Sequence, residues 1–435
     1  MPTTPKVHGH RTTPENRSAR KASIAALAGS TIEYYEFGVY GYLSVTISPL
    51  FFPGGNATAA LLSTLAVFGS SFLIRPLGGI LLGRLGDRIG RRAVLLFTVI
   101  GMGAATALTG LLPTYSAAGL AAPLGLLIVR LLQGFFAGGE VTGAAAYVAE
   151  SAPAGRRGFL GGFTPMGVAL GGALAATCAG VVSGVLTEEQ MAAWGWRIPF
   201  LCSIPLIVVS LVVRNKLEDT KAFEEAKQNH RLAKAPLREV LGSHGKPTLK
   251  VIALSFGQNA GYWVGLVFMN IYLTQNLGYD KNAVFWIIAA VNLVMGLLMP
   301  MFGGLSDRKG RKFVLLVGFL GYVVLVLPTM MLMDTGNVWL ACLAMFVLAI
   351  PFPIVQSVGY PTYAEQFPTR VRYTGLSLSF NIGTILGGGL TPYVATWLIS
   401  TTGTLLAPGY LLIGAGVISL LTLLVTRETA YTELT

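Results

Sequence analysis

Twelve hydrophobic segments follow one another along this 435-residue chain, and short polar connections separate most of them. About 20 apolar residues are enough for an α-helix to cross a bilayer. None of the segments shows the ten-residue alternation of a membrane β-strand. The pattern predicts an all-α integral membrane protein with twelve transmembrane helices. The predicted spans are 22–48, 58–82, 93–112, 122–148, 158–184, 195–214, 249–275, 282–302, 313–333, 337–361, 373–400 and 404–426.

The composition supports a membrane protein and excludes an ordinary soluble domain. Residues are 53% hydrophobic and only 11% charged, whereas soluble domains carry about 25% charged residues. The chain contains 54 glycines, and such small residues allow membrane helices to approach closely. Cys178, Cys202 and Cys342 lie in separate apolar runs, without the spacing of metal ligands. We therefore predict no metal and no cofactor.

The basic residues predict the orientation of the chain. With the N-terminus inside, 27 of the 31 lysines and arginines fall on the cytoplasmic side, as the positive-inside rule requires. This distribution accounts for the net charge of +12 without a nucleic-acid partner. We predict a multi-pass protein of the cell (inner) membrane, surrounded by lipid, with both termini cytoplasmic.

The chain divides into two six-helix units joined by its one long polar connection. The predicted parts are a disordered cytosolic tail (1–21), an N-terminal bundle (22–214), a cytosolic connecting loop (215–248), a C-terminal bundle (249–427) and a second cytosolic tail (428–435). Within the connecting loop, the stretch from Glu218 to His230 is compatible with a helix, and Pro236 interrupts whatever precedes it.

The two bundles repeat each other. Gly83–Arg92 reads GRLGDRIGRR, and Gly303–Lys312 reads GGLSDRKGRK, with six identities in ten at an offset of 220. Each stretch connects the second and third spans of its half. The duplication predicts two pseudo-symmetric six-helix bundles, with a substrate site between them near the middle of the membrane.

Two acids in the first span are the most informative residues of the sequence. Glu33 and Glu36 are three residues apart in Glu33-Tyr34-Tyr35-Glu36, so they share one face of a helix, and Tyr40 continues this face. Ionisable residues at membrane depth usually mark a proton or substrate path. We predict a coupling role for the acids, with the three tyrosines as part of the pocket wall; a helix-packing ion pair is the alternative.

Three further charges lie inside the spans of the first half. Arg130 and Glu140 belong to the fourth span, and Arg75, near the loop, is interpreted as structural. The acids of the first helix are the expected partners of Arg130. Glu140 has either a proton role or a gating or packing contact with Arg75 or the loop arginines.

When all are ionised, the three acids and two bases lack one proton for neutrality. Burial disfavours an ionised carboxylate and a nearby arginine favours it. We therefore hypothesise that Glu33 or Glu36 takes up a proton and that Arg130 then becomes available to a substrate carboxylate.

The second half contributes polar but neutral candidates to the substrate site. With one arginine available, they suit a monocarboxylate, or a zwitterion whose cation meets Glu33, Glu36, the tyrosines or Trp263. The candidates are Gln258, Asn259, Tyr262, Trp263, Asn270, Asn292, Gln356, Tyr360 and Asn381.

The repeated loop motif resembles the signature of the major facilitator superfamily. Glu33-Tyr34-Tyr35-Glu36, the stretch from Arg130 to Glu140 (RLLQGFFAGGE) and Trp194–Phe200 (WGWRIPF) are similar to its metabolite:proton symporter branch, which includes proline/betaine, citrate, α-ketoglutarate and shikimate carriers. The resemblance implies that the loop charges latch the two halves together in the outward-facing state. These predicted gating residues are Asp87, Arg88, Arg91, Asp307, Arg308 and Arg311, with Arg75 beside them.

The predicted function is proton-coupled import of a small organic acid or zwitterionic metabolite by alternating access. A proton-coupled efflux antiporter of the same superfamily is the alternative. The fifth span lacks the Gly-Pro pair of drug antiporters and reads Phe163–Gly167 (FTPMG) instead, which weakly favours symport. A membrane enzyme is disfavoured, because the spans carry no nucleophile–base or metal constellation. A channel is also disfavoured, and saturable, slow uptake would exclude it.

Overall fold

The computed structural model describes residues 14–89, 91–153, 155–214 and 236–432, and within these it is helical with short turns. Twelve long helices follow the predicted spans. They are α1 (Pro14–Phe51), α2 (Ala57–Leu82), α3 (Arg91–Leu111), α4 (Ala121–Ser151), α5 (Arg157–Val185), α6 (Glu188–Val212), α7 (Gly245–Asn276), α8 (Lys281–Lys309), α9 (Arg311–Met333), α10 (Val338–Ala364), α11 (Thr369–Thr402) and α12 (Ala407–Leu424).

Several helix ends differ from the prediction; α8, for example, continues to Lys309, seven residues beyond the predicted end at 302. Helix α1 begins at Pro14, so the last third of the tail predicted to be disordered is helical. After α2, helical structure continues to Ile89, and the first signature loop is therefore mostly the end of a helix. A short helix, Pro236–Ser243, precedes α7, whereas the predicted Glu218–His230 helix lies outside the described residues.

Helix α5 packs closely along α1 because glycines face the α1 backbone. A Cβ atom at Gly167 would lie 2.3 Å from the Leu27 carbonyl oxygen, and one at Gly171 would lie 2.4 Å from that of Thr31. Both separations are too short for any side chain. The contact fixes the rotation of α1 and directs Glu33 and Glu36 away from α5 and towards α2 and α3.

Several long helices are locally irregular near their middle. In α4, the segments Ala121–Ala137 and Glu140–Ser151 are separated by Gly138 and Gly139. Helices α7 and α11 contain π-helical turns at Trp263–Phe268 and Ile385–Gly389. Such turns often accompany functional sites. The break in α4 also means that Arg130 and Glu140 do not lie along one continuous helix, contrary to the prediction.

The two halves contact each other at both ends of the bundle. On the side of the α8–α9 connection, here called the loop side, the Arg372 guanidinium lies 3.1 Å from the Glu150 carboxylate. On the opposite side, Asn270 Nδ2 donates to the Tyr42 carbonyl oxygen at 2.9 Å. Between these contacts, the middle of the interface is lined mainly by aromatic rings.

Candidate substrate and proton-coupling site

Glu33 lies beside Arg75 in the interior of the first half. The Arg75 Nη2 atom is 3.6 Å from Glu33 Oε1, and both side chains are almost fully buried. Arg75 also stacks on Phe37 and Phe72, with its Cζ atom 4.3 and 4.4 Å from the two ring centroids. From the sequence, we predict that Arg75 lies near the loop and that the acids of the first helix pair with Arg130. In the structure, Glu33 forms its ion pair with Arg75 instead.

Glycines in α4 explain why Arg75 lies so deep. A Cβ atom at Gly138 would be 2.1 Å from the Arg75 carbonyl oxygen, and one at Gly134 would be 1.9 Å from that of Ser71. The α2 backbone therefore rests directly on α4. This contact places the Arg75 side chain between α1 and α4 rather than at the membrane surface.

Glu36 faces α3 and is completely buried. Thr106 Oγ1 donates a hydrogen bond of 2.9 Å to Glu36 Oε2, and Gln133 Nε2 donates one of 2.8 Å to Thr106 Oγ1. The carboxylates of Glu33 and Glu140 are close enough to interact electrostatically with Glu36. The three predicted acids thus belong to one buried cluster, in which their negative charges oppose one another.

Arg130 is 1% exposed and lies among aromatic rings. Its Cζ atom is 4.1 Å from the Tyr40 ring centroid and 5.2 Å from those of Phe37 and Phe68. Its Nη1 atom donates to Gln133 Oε1. The Nε and Nη2 atoms make no hydrogen bond to any residue that the structure describes. A buried guanidinium with unused donors is suited to a carboxylate.

An aromatic cluster joins the first half to the second at the level of these charges. The Tyr34 ring lies 5.6 Å from the Tyr262 ring and 6.3 Å from the Trp263 ring, measured between centroids. Phe68 lies 5.2 Å from Trp263, and Tyr360 is next to the Tyr34 hydroxyl. The structure therefore brings Tyr34, Tyr262, Trp263 and Tyr360 together at the predicted position between the halves.

Tyr35 does not line this interface, contrary to the prediction. Its hydroxyl donates to the Pro199 carbonyl oxygen at 2.7 Å, and its neighbours include Cys178 and Cys202. Successive residues of a helix point about 100° apart, so the orientation that brings Tyr34 to the second half directs Tyr35 towards α5 and α6. Tyr40 also remains within the first half, where its hydroxyl donates to the Thr64 carbonyl oxygen.

The amides of the second half have partners that were not predicted. Gln258 Nε2 donates to Gln356 Oε1 at 2.7 Å, within the second half. Asn259 Nδ2 donates to the Ser255 carbonyl oxygen of its own helix. Asn381 Nδ2 donates to the Gly138 carbonyl oxygen at 2.9 Å and so connects α11 to the break in α4. In this structure, Asn381 therefore joins the two halves.

Glu140 begins the second segment of α4 and is 8% exposed. A carboxylate in the first turn of a helix is stabilised by the partial positive charge of the helix N-terminus. Its position beside Glu36 and at the helix break is compatible with either of the two predicted roles.

On the loop side, Asp307 joins the halves directly. Its two carboxylate oxygens accept hydrogen bonds from the backbone N–H groups of Gly158 and Phe159, at 2.8 and 2.9 Å. Arg311 lies 2.8 Å from the same carboxylate and also pairs with Glu365. Asp307 therefore caps the N-terminus of α5 from the other half.

Arg308, the neighbouring predicted gating residue, is exposed, and its carbonyl oxygen accepts a hydrogen bond from the Tyr431 hydroxyl. The Asp87, Arg88 and Arg91 side chains are outside the described part of the chain.

The segment after α12 covers this loop-side network. Glu428 accepts hydrogen bonds from the backbone N–H groups of Arg311 and Lys312, and Thr429 Oγ1 donates to Glu365 Oε2 at 2.6 Å. Across the interface, Arg157 Nη1 donates to the Thr432 carbonyl oxygen. Residues predicted only as a cytosolic tail thus contact both halves.

Sequence reasoning missed Thr106, Gln133 and Phe68. Gln133 is three residues from Arg130, a spacing that places two side chains on the same helical face, so its contact with Arg130 could have been predicted. Thr106 carries no such signal, because its partner Glu36 is on another helix. Phe68 could be recognised as part of the site only from the packing of α2 against α7.

Together, twelve helices in two halves, a buried charge cluster within the first half and an aromatic cluster at the junction of the halves are typical of a membrane transporter. The family model described as Major Facilitator Superfamily matches residues 36–372 and, in a second match, residues 251–434. The chain belongs to the major facilitator superfamily. It is a multi-pass membrane transporter of small metabolites and not an enzyme, and the predicted class, fold and family are confirmed.

Characterised relatives span nearly the whole chain. The glycine betaine/proline/ectoine/pipecolic acid transporter OusA of Dickeya dadantii (strain 3937) is 39% identical over 420 residues, which cover 94% of this chain and 84% of that protein. The proline/betaine transporter of Escherichia coli (strain K12) is 36% identical with the same coverage. The shikimate transporter of Escherichia coli (strain K12) is 35% identical, over 88% of each chain.

A solved structure supports the fold. The proton:xylose symporter XylE, bound to 6-bromo-6-deoxy-D-glucose, superposes with a TM-score of 0.75 over 95% of this chain and 97% of that one, at 17% sequence identity. At this identity the likeness concerns the fold alone.

Proposed function

We propose that this protein imports small zwitterions, of the proline and betaine class, together with protons. The observation that carries the proposal is the position of Arg130, a buried guanidinium with two unused donor nitrogens beside the aromatic cluster. The named relatives that carry proline and betaine support the choice of substrate.

The distances between the rings suit a molecule with two opposite charges. Phe68 is a neighbour of both Arg130 and Trp263, with 5.2 Å from its ring centroid to the Arg130 Cζ atom and 5.2 Å to the Trp263 ring centroid. Because a cation binds within ~6 Å of a ring centroid, one small zwitterion can reach both groups. Its carboxylate would meet Arg130, and its cationic nitrogen would meet the faces of Trp263 and Tyr34.

The buried acids would provide the proton coupling. Glu33 forms an ion pair with Arg75, whereas Glu36 is held by the neutral hydroxyl of Thr106. Within this cluster we assign the transported proton to Glu36, because Glu33 already has a cation 3.6 Å away that favours its ionised form. Protonation of Glu36 would lower the attraction between α1 and Arg130 and release Arg130 for the substrate carboxylate.

Alternating access would then depend on the loop-side contacts. Asp307 and its neighbours would hold the halves together on this side, which we place in the cytoplasm because the basic residues of the sequence are concentrated there. Both termini are placed in the cytoplasm for the same reason. The membrane that we propose for this protein is the cell (inner) membrane. Asp87, Arg88 and Arg91 would form the corresponding latch of the first half.

The test is uptake by the purified full-length protein in proteoliposomes, with an inwardly directed proton gradient. We expect saturable accumulation of proline or glycine betaine that an uncoupler abolishes. We expect Arg130→Gln to weaken substrate binding by at least about tenfold, equivalent to ~1.4 kcal/mol. Arg370→Gln, at an exposed arginine that pairs with Glu239, is the matched control.

A thermal shift assay distinguishes zwitterions from the competing substrate class, the monocarboxylates. Stronger stabilisation by shikimate than by proline or betaine in a thermal shift assay would favour a monocarboxylate that lacks a cation. Substrate accumulation that does not respond to the proton gradient or to the uncoupler would refute proton-coupled import.

A further inference from the structure

Four buried polar side chains form a continuous row of hydrogen bonds across three helices of the first half. Arg130 and Gln133 of α4, Thr106 of α3 and Glu36 of α1 are each no more than 1% exposed. The row connects the arginine that we assign to the substrate with the acid that we assign to the proton. Its two middle residues, Gln133 and Thr106, are neutral.

The hydrogen bonds of this row all run in the same direction. Arg130 Nη1 donates to Gln133 Oε1, and the other end of the Gln133 amide, Nε2, donates to Thr106 Oγ1 at 2.8 Å. Thr106 Oγ1 then donates to Glu36 Oε2 at 2.9 Å. In a buried row of this kind, each bond polarises the next. The ionised form of Glu36 therefore strengthens the attachment of Gln133 to Arg130.

The Thr106 hydroxyl has two acceptors for its single proton. Besides Glu36 Oε2, the Met102 carbonyl oxygen lies 3.1 Å from Thr106 Oγ1. While Glu36 is ionised, its carboxylate is the stronger acceptor. Once Glu36 carries a proton, it can itself donate to Thr106 Oγ1, and the Thr106 proton then turns to Met102. The direction of the bond between Glu36 and Thr106 thus depends on the protonation of Glu36.

We infer that Thr106 and Gln133 are positioning residues that couple proton binding at Glu36 to substrate binding at Arg130. The inference rests on the proposed function. The charged groups around Glu36 are Glu33 on its own helix and Glu140 and Arg130 on α4, with Arg75 of α2 beside Glu33. Protonation of Glu36 reverses the bond at Thr106 and weakens the hold of Gln133 on Arg130. The Nη1 atom of Arg130 then becomes available to a carboxylate, in addition to the unused Nε and Nη2 atoms.

Linkage requires this coupling to be reciprocal, so a bound carboxylate also favours protonation of Glu36. Without the row, substrate and proton would be coupled only by the direct charge attraction between Glu36 and Arg130. The protein would then still exchange substrate across the membrane but would no longer use the proton gradient efficiently. This separation of exchange from accumulation distinguishes a coupling role from a structural one.

The experiment compares Thr106→Val and Gln133→Met with the wild-type full-length protein in proteoliposomes. Both substitutions remove the hydrogen bonds of the row and nearly keep the volume. We expect proline exchange without a gradient to be retained and to fall by a smaller factor than accumulation. We expect accumulation driven by the proton gradient, and proton uptake on substrate binding, to fall at least about fivefold, the lower end of typical allosteric couplings. Thr106→Ser keeps the hydroxyl group and should therefore show wild-type accumulation and wild-type proton uptake.

Thr109→Val is the matched control. Its hydroxyl is also buried in α3 but donates to the Ala105 carbonyl oxygen of the same helix at 3.2 Å. We expect wild-type accumulation from this variant. An equal loss in Thr109→Val and Thr106→Val, or a parallel loss of exchange and accumulation that Thr106→Ser does not restore, would overturn the inference.

Glu36→Gln separates failure of the inference from failure of the proposed function. If Glu36→Gln loses gradient-driven accumulation while Thr106→Val and Gln133→Met keep it with an unchanged pH profile, the row has no coupling role and the proposed function stands. If Glu36→Gln accumulates substrate like the wild type, Glu36 is not the proton site, and both the assignment and the inference fail.

Discussion

The Arg75 guanidinium lies 3.6 Å from the Glu33 carboxylate inside the first half, and neither side chain is more than 4% exposed. A buried ion pair contributes little to stability as a unit, but removal of one partner leaves a buried charge without compensation, at a cost of ~3–5 kcal/mol. This asymmetry allows the role of the pair to be measured separately from transport.

For the pair, we expect Arg75→Gln to lower the free energy of unfolding by roughly 3 kcal/mol or more. The double variant Glu33→Gln/Arg75→Gln should be less destabilised than the sum of the two single variants. Denaturation of the purified protein in detergent would measure this. The exposed pair Lys281–Glu188 is the control, with an expected effect of ~1 kcal/mol at most. Additive losses at Glu33 and Arg75 would show that the two groups do not interact.

The position of Glu33 was predictable from the sequence, and that of its partner was not. A spacing of three residues places Glu33 and Glu36 on one face of any helix. The depth of Arg75, in contrast, depends on contacts between α2 and the glycines of α4, which single out one of many possible helix packings. The rotation of α1 likewise decides that Tyr34 meets the second half and Tyr35 does not.

The same distinction applies to the rest of the fold. Hydrophobic length predicted the twelve helices, and the repeated motif predicted the two halves, because both are local properties of the chain. The capping of α5 by Asp307 and the contacts of Glu428 join residues more than 100 positions apart. Local patterns carry no information about such contacts.

The close contact of Gly172 with two polar atoms of the second half offers a second test, at the interface between the halves. A Cβ atom at Gly172 would lie 3.0 Å from Asn292 Oδ1 and 3.1 Å from the Tyr262 hydroxyl. Both atoms are buried and have no hydrogen-bond partner among the described residues. We expect the methyl group of Gly172→Ala to displace these two polar groups and to weaken substrate binding about tenfold, equivalent to ~1.4 kcal/mol, as measured by ligand-induced thermal stabilisation.

Gly180→Ala is the control for this variant. It also lies on α5 where this helix contacts α8, but its Cβ atom would meet the Phe285 side chain first, at 3.3 Å, and the nearest polar atom, Trp286 Nε1, only at 3.6 Å. Equal loss of binding in the two variants would indicate a general packing effect of α5 against α8 and no contribution of the polar groups beside Gly172 to substrate recognition.

The pKa of Glu428 predicts that the contacts of the segment after α12 with α9 depend on pH. Partial burial raises the pKa of Glu428, but hydrogen bonds from four backbone N–H groups, including those of Arg311 and Lys312, lower the pKa by a larger amount. The pKa of Glu428 therefore lies below its usual value. Its stabilising contribution is therefore complete above the ordinary glutamate pKa of ~4.3. The contribution is lost as the pH falls through the lower pKa of the folded state.

We accordingly expect the amides of Arg311 and Lys312 to be protected from hydrogen exchange at neutral pH and to lose protection only at strongly acidic pH. Glu428→Gln should reduce their protection already at neutral pH, because the neutral amide is a weaker acceptor. Glu188→Gln, at an exposed residue on the opposite side of the bundle, should leave it unchanged. Protection in Glu428→Gln equal to that of the wild type would contradict the assigned contacts.

The Asp307 cap on α5 predicts how the halves separate on the loop side. Hydrogen bonds to a charged group contribute about 1.5–3 kcal/mol, and Asp307 accepts two from the other half. We therefore expect Asp307→Asn to shift the protein at least about tenfold towards a state open on the loop side. The measurement is alkylation of a cysteine introduced by Ser377→Cys, where α11 meets Gly79 of α2, in a background without Cys178, Cys202 and Cys342.

Asp280→Asn is the control for this experiment, because Asp280 caps α8 within its own half by accepting from the Ala283 N–H at 2.8 Å. This variant should alkylate at the wild-type rate. Faster alkylation in Asp307→Asn alone means that the cap holds the two halves together, since both substitutions remove one carboxylate from a helix N-terminus. The same rate in Asp307→Asn as in the wild type would show that the neighbouring contacts keep the loop side closed without the Asp307 charge.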